Sequence, residues 1–342
     1  MNKKIQKLRQ KFKKYNIDGY IVPKNDDYFS SYSKINRLKI ISNFKGSAGL
    51  AVILKNKNFL FVDGRYTLQG QIESGKNFEI IDYEKIVNCN LFKNLTLGID
   101  PMIFTYNQIK KNFIKKNKIK FIENNLIDEI EHKKINNNSP FFSLNKSIVG
   151  ETSDSKIKKI SLYLKKNKSD YLFVSAPENV AWILNIRGRD VQNSPIPNSR
   201  LIISKTKKIF LICKVQKAKK LIKEKIIKPD QLINDKDFSK KILKLKGHKF
   251  IIDNKTCSIY FEDIIKSKFK ITKRDDPTYF FKAIKNKTEI KNMINAHILD
   301  GVALTKFLYW IKKVNKKKIN EVQAQNKLES FRKLNKDYLY PS

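Results

Sequence analysis

Histidines and carboxylates are the residues best equipped for chemistry in this sequence, and their spacing argues against a complete metal centre. The histidines are His132, His248 and His297, and none belongs to an HxxE or HExxH pattern. Beyond Pro277 the carboxylates are Glu289, Asp300, Glu321, Glu329 and Asp337, all on predicted helices or at their ends. His297 and Asp300 lie at i,i+3 and could meet on one helical face. Two ligands do not hold a hard divalent ion, which needs several anionic oxygens in place of its water. His297 is therefore given a structural role, and no catalytic residue or metal ligand is assigned. The turn Gly46-Ser47-Ala48-Gly49 could suggest a phosphate loop, but no Lys-Ser/Thr follows it and no helix opens directly after it. Asn179, Arg187 and Asp190 form a polar group around Trp182, for which a folding role is expected, Asn179 turning the chain and Trp182 entering the core. Cys89, Cys213 and Cys257 are far apart and form no CxxC pair, which points to free thiols in a reducing compartment.

The elements that would position these residues alternate along the chain. Ile5, Leu8 and Phe12 lie at helical spacing, and Gly19 to Val22 is a short buried strand closed by Pro23. Leu50 to Leu54 and Asn58 to Val62 are strands joined by Lys55-Asn56-Lys57, a hairpin. Helix from Tyr66 to Ile72, strand from Phe78 to Ile81, strand from Thr96 to Ile99, helix from Thr105 to Lys116 and strand from Lys120 to Ile122 follow. Asn136-Asn137-Asn138-Ser139-Pro140 marks a boundary. The order then begins again: helix at 157–164, strand at 171–174, short helix at 178–184, paired strands at 201–204 and 208–212, helix at 215–226 and strand at 250–252. No residue-level repeat is visible between the halves. Strands and helices in this order predict a mixed α/β sheet covered by helices in each half. After Pro277 the capping box Asn286/Glu289 opens the longest helix, whose stripe of Ile290, Met293, Ile294, Ile298, Ala303, Leu304, Phe307 and Ile311 requires a partner. Asn320 to Leu334 is a second helix, and Tyr338 onward is expected to begin a strand.

The formal charge is +40 over 342 residues, with 41% hydrophobic residues. That hydrophobic share builds a core, and the lysines are spread through nearly every segment. The runs Lys115 to Lys120 and Lys312 to Lys318 lack interleaved aromatics that stack on bases, so they are expected to be solvated faces and not nucleic-acid sites. Met1 to Lys14 has no apolar signal core, and no window approaches the roughly 18 apolar residues of a membrane span. A cytoplasmic protein with no membrane partner is expected.

Ser42-Asn43-Phe44-Lys45-Gly46-Ser47-Ala48-Gly49, followed by Val62-Asp63-Gly64-Arg65-Tyr66, resembles the creatinase-type N-terminal domain of Xaa-Pro aminopeptidases. Pro177 to Gly188, with Asn193-Ser194-Pro195-Ile196-Pro197, resembles the second domain of the long, three-domain form. Lys282-Ala283-Ile284-Lys285-Asn286 and Ala296 to Gly301 resemble the opening of its catalytic domain. The resemblance implies two tandem creatinase-like α/β domains, at 1–140 and 150–277, and at 282–342 a helical stub, the truncated start of a pita-bread metallopeptidase domain. It implies a hydrolase that releases an N-terminal residue preceding proline, with two divalent metals, usually manganese, held by two aspartates, a histidine and two glutamates that lie past Ser342. The chain alone is then expected to be inactive, to bind no cofactor, and to work as a homodimer or with the missing catalytic domain; the alternatives are a fragment of a fully active Xaa-Pro aminopeptidase or a non-catalytic dimerisation or binding module. By position in the motif, Arg65 is the substrate-binding candidate, with Gly46, Ser47, Ala48, Gly49, Asp63, Gly64 and Tyr66 as its motif. A guanidinium offers peptide carbonyls a rigid fork of donors, and Gly64 permits a tight approach. The alternative is that Arg65 pairs with Asp63 and fixes only the turn before the Tyr66 helix.

Overall fold

The structure, a computed structural model, describes residues 2–32, 35–87, 91–114, 116–131 and 138–341. His132 and Cys89 lie outside them. The first half supplies the strands β1 (Gly19–Pro23), β2 (Gly49–Leu54), β3 (Asn58–Val62), β4 (Glu79–Asp82), β5 (Thr96–Ile99) and β6 (Lys118–Phe121). They form one sheet in the order β4-β3-β2-β1-β5-β6, in which β2 is antiparallel to both neighbours and the other pairings are parallel. Successive residues of β1 enter opposite cores: Tyr20 and Val22 join Leu8, Phe12 and Ile41, whereas Ile21 joins Phe61, Leu97 and Phe113. A central strand covered on both faces has to be apolar throughout, which explains the unbroken run Tyr20-Ile21-Val22.

The second half adds a short pair, β7 (Phe142–Ser143) with β9 (Ile186–Arg187), and the strands β8 (Tyr171–Val174), β10 (Arg200–Ser204), β11 (Ile209–Ile212), β12 (Leu232–Ile233), β13 (Lys249–Ile252) and β14 (Lys270–Lys273). Their order, β12-β11-β10-β8-β13-β14, repeats the first sheet with the same directions. The fold is therefore mixed α/β, built from two sheets of one topology. Strands β12 and β14 are not apparent in the sequence. The first has only two residues, and the second lies on a sheet edge with its outer positions exposed.

A residue-level repeat, invisible in sequence, emerges at the carboxyl ends of the parallel strands. After β5, buried Asp100 accepts from Met102 N at 2.8 Å and from Asn125 Nδ2 at 2.8 Å. Asn125 in turn caps helix Leu126–Ile130 by accepting from Ile127 N at 3.0 Å. After β13, buried Asp253 accepts from Lys255 N at 2.8 Å and Asp276 N at 3.1 Å, and Asp276 caps helix Pro277–Ala283 by accepting from Thr278 N at 2.9 Å. The identities surrounding these aspartates differ, so only the bonds reveal the correspondence.

The halves are joined by specific contacts. Ile259 N donates to the Phe104 carbonyl at 2.8 Å, and the Ile259 side chain is buried among the first sheet's apolar residues. Tyr106 Oη donates to Asp263 at 2.8 Å. Buried Arg200 donates to the Asp27 carbonyl and holds its guanidinium 4.2 Å from the rings of both Tyr28 and Phe261.

Helix Lys287–Lys313 opens with the expected capping box and is tied at its start by Asn286 Nδ2 to the Val149 carbonyl at 2.8 Å. Among its described side chains only Ala303 is buried, and Ile294 and Ile298 are 57% and 60% exposed. Helix Glu321–Arg332 meets it through the ion pair of Arg332 with Asp300 but leaves Ile290, Met293, Ile294, Ile298 and Leu304 of the apolar stripe exposed. The expectation of a strand from Tyr338 is not met: residues 338–341 are irregular, since no described strand lies beside them to complete a ladder. No helix among the described residues is long and apolar enough to cross a membrane.

Burial raises the Asp100 carboxyl to about 6, opposed by the bond from Asn125. Its folded value thus lies above the unfolded one, so its contribution to stability is complete below pH about 4 and is lost as pH rises through about 6, at most about 3 kcal/mol. Carbon-13 NMR should find a carboxyl titrating near pH 6 that disappears in Asp100→Asn, and a midpoint at or below 4 contradicts this. The uncovered stripe should bind a hydrophobic dye and drive concentration-dependent association, both reduced by Ile294→Lys with Ile298→Lys. A monomer that ignores the dye contradicts that.

Candidate functional site

Asp63 leaves β3 in an extended conformation and turns the chain into the short helical turn Gly64–Tyr66, where its Oδ1 accepts from Arg65 N at 3.0 Å. The Arg65 side chain folds back on the same carboxylate: Nε donates to Oδ1 at 2.8 Å and one terminal nitrogen donates to Oδ2 at 3.2 Å. The hydrogen bond from Arg65 holds the Asp63 carboxyl below the usual range and raises the guanidinium in return. Arg65 nevertheless remains 71% exposed, with its guanidinium carbon 5.4 Å from the Tyr66 ring. The pairing with Asp63 is thus present, and it consumes only part of a five-donor fork.

Tyr66 links the two motif segments. Its hydroxyl shares a hydrogen bond with Ser47 Oγ at 2.7 Å, and its ring stands edge-on to Phe44 at 5.8 Å between centroids. Gly46 is required by a close approach, since a Cβ there would lie 2.2 Å from Phe44 Cζ. Gly49 begins β2 at the same end of the sheet, directly after Ala48. Together with Pro23, Asn25, Asp63 and Asp82 they line a cavity of about 620 Å³ at the carboxyl ends of β1, β3 and β4. In open α/β sheets this is the edge where ligands bind. Lys24, Asp82, Glu84 and Gln108 also line the cavity, and sequence reasoning missed them because nothing local connects them.

The expected group around Trp182 is dispersed. Asn179 does not turn the chain. It lies buried in helix Pro177–Leu184, donating to Asp276 at 2.8 Å and accepting from Lys282 Nζ at 2.7 Å, so it binds the segment leading to the long helix. Asp190 pairs with buried Lys217 and accepts from Asn198 N at 2.7 Å. Arg187 donates to the carbonyls of Ala181 and Ile186 at 3.2 and 2.9 Å. The neighbour of Trp182 is Lys156, whose ammonium sits 4.2 Å from the indole and donates to the Trp182 carbonyl and Asn185. Burial lowers Lys156 to about 8.

The described residues do not fit a dinuclear metal centre. Asp300 is taken by Arg332 at 2.7 Å and Glu289 by the cap at Asn286 N, and His297 is exposed. Among the described residues no group of three or more His, Cys, Asp or Glu could hold a metal ion. Cys213 and Cys257 are buried free thiols, raised by burial.

Two matches to the family described as creatinase/prolidase N-terminal domain cover residues 4–128 and 132–289. The chain belongs to this family and carries its domain twice. Over nearly its whole length it is similar to Xaa-Pro aminopeptidases. It is 32% identical to Xaa-Pro aminopeptidase 1 of Dictyostelium discoideum over 99% of this chain and 58% of that protein. Identity to the Xaa-Pro aminopeptidase of Drosophila melanogaster is 30% over 94% of this chain and 56% of that protein. The chain thus spans little more than half the length of these relatives. The crystal structure of the Caenorhabditis elegans X-prolyl aminopeptidase, described as a cytosolic enzyme with a di-nuclear active site, superposes with a TM-score of 0.87 at 22% identity, over 98% of this chain and 60% of that one. At that identity the likeness is one of fold.

Tyr66→Phe should lower stability by about 1 kcal/mol through loss of the Ser47 bond. Gly46→Ala should lower it by about 1–3 kcal/mol, because Phe44 must leave its place against Tyr66. Urea denaturation checks both, and a stability equal to the parent's in Gly46→Ala contradicts the close approach.

Proposed function

We propose that this chain forms the two N-terminal domains of a proline-specific aminopeptidase and that Arg65 contacts the peptide substrate. The observation carrying this reading is the unit Phe44, Gly46, Ser47 and Tyr66, packed beside a partly unspent, exposed Arg65 guanidinium just past the carboxyl end of β3. Similarity to Xaa-Pro aminopeptidases over nearly the whole chain supports it. The two divalent metals, manganese by resemblance, find no ligand set among the described residues. In this reading they belong to catalytic machinery that these residues do not supply. A cytosolic location and pairing with a second copy or a catalytic domain are part of the same proposal, the pairing supported by the uncovered stripe of helix Lys287–Lys313.

Incubated with an Xaa-Pro tripeptide and manganese, these residues alone should release no N-terminal amino acid, and manganese-dependent turnover would overturn that part of the proposal. In an active preparation containing these domains, Arg65→Ala should lower kcat/KM by about 10–100-fold, the equivalent of one charged hydrogen bond. Thermal stability should hardly change, since Arg65 is exposed. Unchanged kcat/KM would leave Arg65 with only its turn-fixing bond to Asp63.

A further inference from the structure

The repeated topology allows the cavity of the first sheet to be compared with its counterpart in the second. In the first sheet Gly49 pairs with Val62, and the next residue, Leu50, pairs with Pro23. In the second, Arg200 pairs with Ile212, and Leu201 pairs with Val174. Arg200 therefore stands where Gly49 stands, and Phe261 lies on the helix after β13 as Gln108 lies on the helix after β5.

The second edge is filled by polypeptide. The loop Asp26–Ser30 of the first half is braced by Asp26, whose carboxylate accepts from Tyr28 N and Ser30 N, both at 2.9 Å. From it Tyr28 reaches the second edge, 4.2 Å from the Arg200 guanidinium, and Asp27 gives its carbonyl to the same group. Burial pushes the Tyr28 phenol up, opposed by Arg200. An aromatic side chain, a main-chain carbonyl and a cation thus meet at the carboxyl edge of the second sheet.

The first edge has the complementary deficit. Gly49 has no side chain in the place of Arg200, and Asp63, Asp82 and Glu84 line the cavity with Lys24 as the cation. Arg65 answers Asp63, and the Asp82 Oδ1 accepts from Glu84 N at 2.9 Å, so the two carboxylates of Asp82 and Glu84 face Lys24 as the cation of the lining, one negative charge in excess. This acidic surplus occurs in a chain of net charge +40. Tyr83 and Phe104 add aromatic surface. We propose that the first cavity receives a polypeptide segment that carries a lysine or arginine beside an aromatic residue, the incoming cation taking the place that Arg200 fills in the second half.

Acetyl-Tyr-Lys-Gly-amide, titrated at low ionic strength into the isotope-labelled chain, should shift the amides of Gly49, Gly64 and Glu84 in particular. Replacing the peptide's lysine by glutamine should weaken binding about five-fold or more, as should Glu84→Gln combined with Asp82→Asn, because an ionic contact is lost in each case. Glu84 is exposed and Asp82→Asn keeps the capping oxygen, so the double variant folds, and the peptide exchange tests the point without any variant. Equal affinity for the lysine and glutamine peptides, shifts confined to other surfaces, or no binding at millimolar peptide would overturn the proposal. The titration involves no turnover, so its outcome is separate from the role of Arg65.

Discussion

Each sheet of this protein depends on a buried aspartate that terminates a central parallel strand. A parallel strand ends by leaving backbone donors unpaired at its carboxyl edge, and burial makes each unpaired donor costly. Asp100 and Asp253 solve this in the same way, accepting from a backbone amide two residues ahead and from the residue that caps the helix after the neighbouring strand, β6 or β14. The difference lies in the capping residue. Asn125 reaches its aspartate with its side-chain amide, whereas Asp276 does so with its backbone amide, which leaves its own carboxyl, raised by burial, to accept from Asn179 and Thr278. That substitution couples the second sheet to the segment leading into the long helix, since Asn179 also accepts from Lys282.

The two halves are related as host and guest. The loop following β1 is stiffened by Asp26 and delivers Tyr28 to the second sheet, where Arg200 lies against it. A buried guanidinium against two rings is a desolvated contact, and it joins the two halves alongside the burial of Ile259 in the first sheet's core. Because the guest loop leaves from Lys24 and Asn25, residues that line the first cavity, the same strand end shapes both edges.

Charge is distributed unevenly for reasons that composition conceals. A net +40 would suggest a polyanion as partner, yet the first sheet's cavity is lined by acids, and buried lysines such as Lys156 and Lys217 are spent on indole, carbonyl and carboxylate partners inside the fold. The histidines make the opposite point. His248 contributes its backbone amide to Asp170, and His297 stands exposed on the long helix, so neither joins a ligand group.

Local signals made much of the architecture legible. Apolar runs of strand length placed the central strands, the Asn286/Glu289 pair placed the start of the long helix, and the motif Asp63 to Tyr66 marked the turn that displays Arg65, because each depends on residues close in the chain. Only tertiary structure brought Ser47 to Tyr66, dispersed Asn179, Arg187 and Asp190 to separate partners, and seated Tyr28 against Arg200, a contact whose carbonyl partner is 173 residues away in sequence. Secondary structure follows from periodicity that neighbours share, whereas a site is decided by which distant surfaces the packing of two sheets brings face to face, and no spacing along the chain encodes that.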